Sequence, residues 1–195
     1  YFLDRYRYEA FRRSVLQTEE AETAQALLDV AQLLSTNLDR PDVLEHVNGL
    51  VVGALACDWS STFLFEEGAG VYRLAANVGT SPEVREELAQ IAFPPDSLPL
   101  LGMLRAGELI QIPDAATTTL VPHALMRRLE TASALYAPIT RGEKIMGVLV
   151  AGHRRKTGAF STKQRRLLLG IGRAISVALE NARLITDLQA ASRLK

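Results

Sequence analysis

Apolar residues near the end of the chain recur at alternating steps of three and four, the spacing typical of a helix with a buried face. A second apolar stripe lies one residue earlier around the same helix, which gives it more apolar surface than one sheet can cover. We therefore predict a long terminal helix with one stripe on the domain's own sheet and the other on a partner helix. The sheet-facing stripe comprises Leu168, Ile171, Ile175, Ala178, Ala182 and Ile185, and the second stripe comprises Leu167, Ala174, Val177, Leu184 and Leu188.

Two strands joined by a tight turn precede this helix. Residues 133–139 and 144–153 are apolar runs rich in residues that suit a pleated sheet. Gly142, in the short loop between them, can take the positive φ that a hairpin turn requires. Ser161 stands three residues before Gln164, the spacing of a capping box that opens a helix. The end of the chain therefore predicts strand, turn, strand and terminal helix.

Further strands and helices precede this hairpin. Alternation within 58–66 predicts a strand that points Phe63 and Phe65 to one face and Leu64 to the other. Together the predicted strands form a mostly antiparallel sheet of about six strands flanked by helices, which is an α+β domain. The other predicted strands span 71–77 and 109–112, and the other predicted helices span 24–38, 43–56, 82–91, 100–105 and 122–129.

The helix at 24–38 carries its own apolar stripe and is expected to lie beside the terminal helix. Two chains that place both helices together would form a four-helix bundle, so we predict a parallel homodimer with a coiled-coil character. Residues 185–195 contain no helix-stop signal and are expected to continue the terminal helix. The predicted dimer interface comprises Leu27, Leu34, Leu167, Ala174, Val177, Leu184 and Leu188.

Three segments resemble the closing half of a GAF domain. They are ALYAPI, then KIMGVLVAG after four intervening residues, and then FSTKQRRLLLGIGRAISVALENARL. The resemblance implies a small sensory or regulatory module, with a GAF-like antiparallel sheet, at residues 23–184. The closing ASRLK resembles the stretch through which a GAF helix continues into the dimerisation helix of many sensor histidine kinases. We therefore expect residues 185–195 to be a helical linker that relays a signal to a downstream kinase domain in the same chain, within a two-component system.

The composition narrows the set of partners and compartments. The 22 basic and 22 acidic side chains balance, which argues against a nucleic-acid partner because such proteins normally present a basic face. The single cysteine, Cys57, excludes an intramolecular disulfide and predicts a cytoplasmic location. The sequence has no signal-peptide pattern and no initiator methionine, so we expect it to be part of a longer protein.

Residues 1–22 are interpreted as a connector helix. Basic and aromatic residues interleave in 1–13, a composition typical of a juxtamembrane segment after a membrane span. In that interpretation a segment upstream of residue 1 would tether the protein to the membrane. An amphipathic connector with a solvated face explains the same pattern, and we favour this second interpretation.

No catalytic constellation is visible in the sequence. His46, His123 and His153 have no second ligand at metal-binding spacing, which predicts that the chain holds no metal. The residue set of cyclic-nucleotide GAF domains is missing. Cys57 alone cannot form the disulfide that GAF-type methionine sulfoxide reductases need. We therefore predict no enzymatic activity for this chain, although its parent protein is expected to be a histidine kinase.

The resemblance also implies a small-molecule pocket between one sheet face and the neighbouring loops, without naming the ligand or cofactor. His123 resembles a histidine that packs on the bilin of phytochrome-type GAF domains. Pro122 stands in the place of the attachment cysteine, which argues against a covalent bilin. The alternatives are a non-covalent tetrapyrrole or haem bound by His123, and a ligand-free dimerisation scaffold. The predicted pocket residues are Phe63, Phe65, Met103, His123, Met126 and Tyr136.

Overall fold

The computed structural model describes residues 2–37 and 42–192. The strands in these ranges form one antiparallel sheet, so the predicted α+β class is confirmed, with five strands where about six were expected. The strands are β1 (Trp59–Glu66), β2 (Val71–Val78), β3 (Ile110–Ile112), β4 (Ser133–Arg141) and β5 (Lys144–His153). Their order across the sheet is β2-β1-β5-β4-β3.

Helices pack on both faces of this sheet. They are α1 (Phe2–Asn37), α2 (Val43–Leu55), α3 (Pro82–Gln90), α4 (Pro99–Met103), α5 (His123–Arg128) and α6 (Thr162–Ser192). The first face is covered by α2 and α6, with α1 packed against both of these helices, and we call it the helix face. The second face lies beneath α3, α4 and α5, and we call it the cavity face.

Local sequence signals set the start of α6 and the turn between β4 and β5. The backbone N–H of Ser161 donates to Gln164 Oε1 at 2.8 Å, and the N–H of Gln164 donates to Ser161 Oγ at 3.2 Å. This reciprocal pair is the predicted capping box, which satisfies donors that a helix start leaves free. Gly142 has φ of 60° in the turn between β4 and β5, as the hairpin prediction requires.

The helix face forms a closed core. Leu135, Leu149 and Ala151 point into it from β4 and β5, and they have no exposed surface. Ile171 and Ile175 of α6 meet them and are equally buried. Burying one such aliphatic side chain contributes about 1.5–3 kcal/mol, so the stability of the domain depends strongly on this face.

A buried polar cluster attaches α2 to β1 within the helix face. Asn48 Nδ2 donates to Thr62 Oγ1 at 2.8 Å, and Ser60 Oγ donates to Asn48 Oδ1 at 2.6 Å. Each of these three side chains is fully buried. A buried polar group without a partner costs about 1–3 kcal/mol, so these hydrogen bonds favour one placement of α2 on the sheet.

The first and last helices lie side by side, as predicted, and run in the same direction. Glu22 forms an ion pair with Lys163 at the start of α6. Further along both helices, the Leu27 side chain packs against Gly170, where an added Cβ would meet it at 2.7 Å. The exposed part of α1, from Arg7 to Glu22, therefore extends past one end of the paired helices, and the end of α6 extends past the other.

Part of the predicted dimer interface is buried within the chain itself. Leu34 of α1 is 2% exposed and Leu167 of α6 is 1% exposed, because both belong to the core in which α1, α2 and α6 of the same chain pack together. The prediction that a partner chain contacts these two residues is therefore wrong. Leu27 and Ala174 are half-buried against the same core.

The second half of α6 leaves apolar side chains exposed. Val177, Leu184 and Leu188 of the predicted interface are 61%, 51% and 70% exposed. Ile185 was expected to face the sheet, but it is 56% exposed because α6 continues beyond the sheet. Residues 193–195, which end the ASRLK stretch, lie outside the described residues.

Candidate ligand pocket

A cavity that is partly open to solvent separates the cavity face from the helices above it. Its floor is built from alternate residues of the three central strands, because every second side chain of a strand points to the same face. The floor residues are Trp59, Ser61 and Phe63 of β1, Tyr136 of β4, and Val148 and Val150 of β5.

Short helices and irregular segments form the cover of the cavity. Ser81 caps α3 by accepting the N–H of Val84 at 3.3 Å, and Val84 and Leu88 then point into the cavity. Leu100 of α4 and Met126 of α5 add to the cover. These helices have nine, five and six residues, so each of them has much less apolar surface to bury than α2 or α6.

The segment between α3 and α4 is fixed to the sheet edge through Phe93. Its carbonyl oxygen accepts the backbone N–H of Tyr72 at 2.8 Å, and its own N–H donates to the carbonyl oxygen of Tyr72 at 3.0 Å. The Phe93 ring meets Phe63 edge to face, with 5.7 Å between the ring centroids. This segment thus closes one side of the cavity with an aromatic wall.

The cavity has a volume of about 80 Å³. A single water molecule needs roughly 10–15 Å³ of such space, so the cavity has room for several water molecules, and its volume is about half that of a ~150 Å³ cavity that takes up benzene. Most of the lining is apolar, and Ser61 Oγ already accepts a hydrogen bond from Asn77 Nδ2 at 2.8 Å. Apolar walls with a few polar groups are typical of small-molecule sites.

The structure places three of the six predicted pocket residues on the cavity. Phe63, Met126 and Tyr136 line it. Phe65 instead pairs with the ring of Tyr72 near the end of β1, with 5.1 Å between ring centroids, under the ammonium group of Lys144. Its strand alternation was predicted correctly, but the cavity ends before this position.

Met103 and His123 also lie away from the cavity lining, so their prediction as pocket residues is corrected. Met103 is 53% exposed because it occupies the outer side of α4. His123 is exposed at the start of α5, and its Nε2 lies 2.7 Å from the carbonyl oxygen of Thr118. The proposed role of His123 as a tetrapyrrole or haem ligand therefore has no support from its position.

Several lining residues were missed by the sequence analysis. Trp59 and Ser61 share the face of Phe63 by simple alternation, and this signal was available in the sequence. Val148 and Val150 lie in a continuous apolar run, in which alternation does not distinguish the two faces. Their placement needs the register with β1, where Phe63 pairs with Val148.

Cys57 lies on the other side of the sheet from the cavity. The thiol belongs to the helix-face core, and burial raises its pKa to about 11. A thiol of such high pKa carries little thiolate at neutral pH and is a poor nucleophile. Across residues 2–37 and 42–192, no cluster of three His, Cys, Asp or Glu side chains could hold a metal ion.

The family model for the GAF domain matches residues 39–181. The chain therefore belongs to the GAF domain family, whose members are sensory and regulatory modules. The sequence matches no curated protein. None of the helices in the part of the chain that the structure describes is long and apolar enough to cross a membrane.

Solved structures from several bacterial proteins share this fold at low sequence identity. The GAF domain of a phosphoenolpyruvate-protein phosphotransferase from Acinetobacter is 22% identical, with a TM-score of 0.67 over 83% of this chain and 95% of that chain. The corresponding domain from Coxiella burnetii is 16% identical, with a TM-score of 0.72 over 86% and 98%. A domain assigned to a two-component sensor histidine kinase from Sinorhizobium meliloti is 18% identical, with a TM-score of 0.64 over 77% and 97%.

Proposed function

We propose that this chain is the sensory domain of a larger signalling protein and that a small molecule bound in the cavity is its signal. The main support is the position of the cavity between the sheet and a cover of short helices. Ligand binding there can change the packing of α3, α4 and α5 without opening the helix-face core. Because Cys57 belongs to that core, the proposed ligand is held without a covalent bond to the protein.

The proposal predicts that a ligand stabilises the protein through the cavity. A panel of charged and uncharged small metabolites should contain compounds that raise the Tm, since a ligand at 100 times its Kd stabilises by about 2.7 kcal/mol. Val150→Phe should fill the cavity and abolish this rise. Val15→Phe makes the same change on the outer surface of α1 and should respond like the wild type. If no compound raises the Tm, or if Val150→Phe responds as well as the wild type, a ligand-free dimerisation scaffold is the better description.

The output is proposed to pass through paired helices in a parallel homodimer to a downstream histidine kinase domain. The exposed apolar residues Val177, Leu184 and Leu188 support a helix partner beyond the sheet. The helices α1 and α6 run in the same direction, so α1 extends from one end of the domain and α6 extends from the opposite end. This arrangement suits a relay, because a change in the domain can be passed on along α6. The resemblance of the ASRLK stretch and the sensor histidine kinase among the structural neighbours support the choice of output.

The double variant Leu184→Glu and Leu188→Glu tests this relay. It should give monomers in sedimentation at micromolar concentration, because each buried leucine contributes about 1.5–3 kcal/mol to the interface at most. In the full-length protein it should also abolish the ligand response of the kinase. Gln189→Glu adds one negative charge to the same exposed segment and should leave both properties unchanged. A wild type that is already monomeric, or a monomeric variant with a normal response, would contradict the proposal.

A further inference from the structure

The surface of the cavity carries no charge within the part of the chain that the structure describes. Its lining includes no Asp, Glu, Lys, Arg or His among residues 2–37 and 42–192. Burial raises the pKa of Tyr72 and of Tyr136, so both phenol groups stay neutral at physiological pH. An ion transferred from water into this space would lose its hydration without gaining a counter-charge. The cavity is therefore suited to an uncharged group.

The other hydroxyl groups of the lining already form hydrogen bonds within the protein. Ser61 Oγ accepts from Asn77 Nδ2 at 2.8 Å, and Thr80 Oγ1 donates to the Oδ1 atom of the same asparagine. Thr131 Oγ1 donates to the carbonyl oxygen of Leu129 at 3.1 Å. Almost all of the surface that the cavity exposes is apolar. Because a buried water molecule needs roughly two to four polar partners, water is held weakly here and an apolar group can displace it.

Aliphatic side chains form most of the cover. Val84 and Leu88 of α3, Leu100 of α4 and Met126 of α5 all face the cavity. Such side chains offer dispersion contacts to any apolar group but no directional partner. Recognition in the cavity therefore depends on the length and volume of the apolar group that enters.

The volume and the opening of the cavity limit how much of a ligand can enter. Benzene occupies a cavity of about 150 Å³. The volume of about 80 Å³ found here leaves room for about half of the carbon atoms of benzene, which is about three. The cavity is partly open to solvent, so a longer molecule can insert one end and keep its remaining part outside.

We infer that the cavity binds an alkyl end of about three carbon atoms, carried by a larger molecule whose polar part remains at the opening. This inference rests on the proposed sensory function and specifies the chemical class of its ligand. The lining requires the end that enters to be apolar and uncharged. The volume limits the length of that end.

The length that enters is measured with straight-chain alcohols from n-propanol to n-heptanol. The ¹³C-labelled methyl signals of Val121 and Val148, which both line the cavity, report binding. A carbon that enters the cavity tightens binding about fourfold, whereas a carbon left in water adds little. In the wild type we therefore expect the gain per carbon to fall beyond about three or four carbons.

Enlarging the cavity should move this limit. Val150→Ala removes two carbon atoms from the floor, so n-hexanol should bind about 16-fold more tightly than in the wild type. Leu125→Val removes one carbon atom from the cover and should tighten binding about fourfold. Val15→Ala makes the same change as Val150→Ala on the exposed surface of α1 and should leave the affinity unchanged.

A diol tests the apolar character of the end that enters. Hexanediol with a hydroxyl group at each end of the chain has the length of n-hexanol but no apolar end. It should bind to the wild type at least about tenfold more weakly than n-hexanol, because one hydroxyl group would be buried without a partner.

The inference is overturned if the diol binds as tightly as n-hexanol, if neither enlarged variant gains affinity for n-hexanol, or if no alcohol moves the methyl signals. In each of these cases, a metabolite that raises the Tm of the wild type but not of Val150→Phe would leave the proposed sensory function intact. If no alcohol moves the methyl signals and no metabolite raises the Tm, the function and the inference fail together.

Discussion

The two faces of the central sheet differ in what covers them, although both are buried. On the helix face, α2 and α6 span 13 and 31 residues, and they meet strand side chains with no exposed surface. On the cavity face, helices of nine residues or fewer leave a cavity of about 80 Å³. Close packing on one face supports the fold, while the space on the other face is available for a ligand.

A matched pair of leucines measures this difference and should give the largest effect. Leu168 of α6 faces the helix-face core, whereas Leu100 of α4 covers the cavity, and both are at most 2% exposed. Leu168→Ala should cost about 3–5 kcal/mol of unfolding free energy, because the long helices cannot collapse into the space left. Leu100→Ala should cost about 2–3 kcal/mol, at the low end for a buried leucine, since short cover helices can relax. Urea unfolding measures both losses of free energy, provided that the m-value of each variant equals that of the wild type.

Equal losses for the two variants would mean that the cover of the cavity is packed as tightly as the helix face. The comparison would then break down, and with it the expectation that the cover moves when a ligand binds. A larger loss for Leu100→Ala would reverse the assignment of the two faces.

His153 provides a smaller and pH-dependent test, because it is an ionisable residue buried at the edge of the helix face. Its ring stacks on Phe160 with 5.4 Å between centroids, and its Nδ1 lies 3.7 Å from Asp58 Oδ2. Burial lowers the pKa of His153, the nearby Lys156 lowers it further, and Asp58 partly opposes this shift. The folded protein therefore binds this proton less readily than the unfolded chain.

The sign of the pH effect follows from this lowered pKa. Stability should be complete above the ordinary histidine pKa of about 6.5 and should fall as the pH drops from there through the folded pKa. His153→Gln should reduce this loss between about pH 7 and pH 5 in thermal unfolding, relative to the wild type. His46→Gln removes a histidine that is exposed on α2 and is the matched control. An unchanged slope in His153→Gln would show that other groups cause the acid sensitivity.

Local structure could be predicted from the sequence because its causes are local. The capping box of Ser161 and Gln164, the positive φ of Gly142 and the cap at Ser81 each depend on residues within a few positions. The alternation that puts Phe63 and Leu64 on opposite faces is equally local. The domain limits of 23–184 remain a prediction, since α1 is continuous across residue 23.

The partner of each apolar surface was decided by tertiary structure. Periodicity gives the direction of a side chain around its helix, and neighbouring positions differ by about 100°, but it does not identify what packs there. Leu34 and Leu167 therefore suited a dimer interface in sequence, yet they are buried against helices of their own chain. Phe65 has the right alternation for the pocket, but it lies beyond the end of the cavity.

The sequence by itself determined the helices, the hairpin and the family of this protein, because these depend on local spacing and on a contiguous motif. Only the tertiary structure brought Trp59, Tyr136 and Met126 around one cavity, although they lie on separate elements. The physical reason is that a cavity is the space that remains after distant segments have packed, and no single segment encodes it.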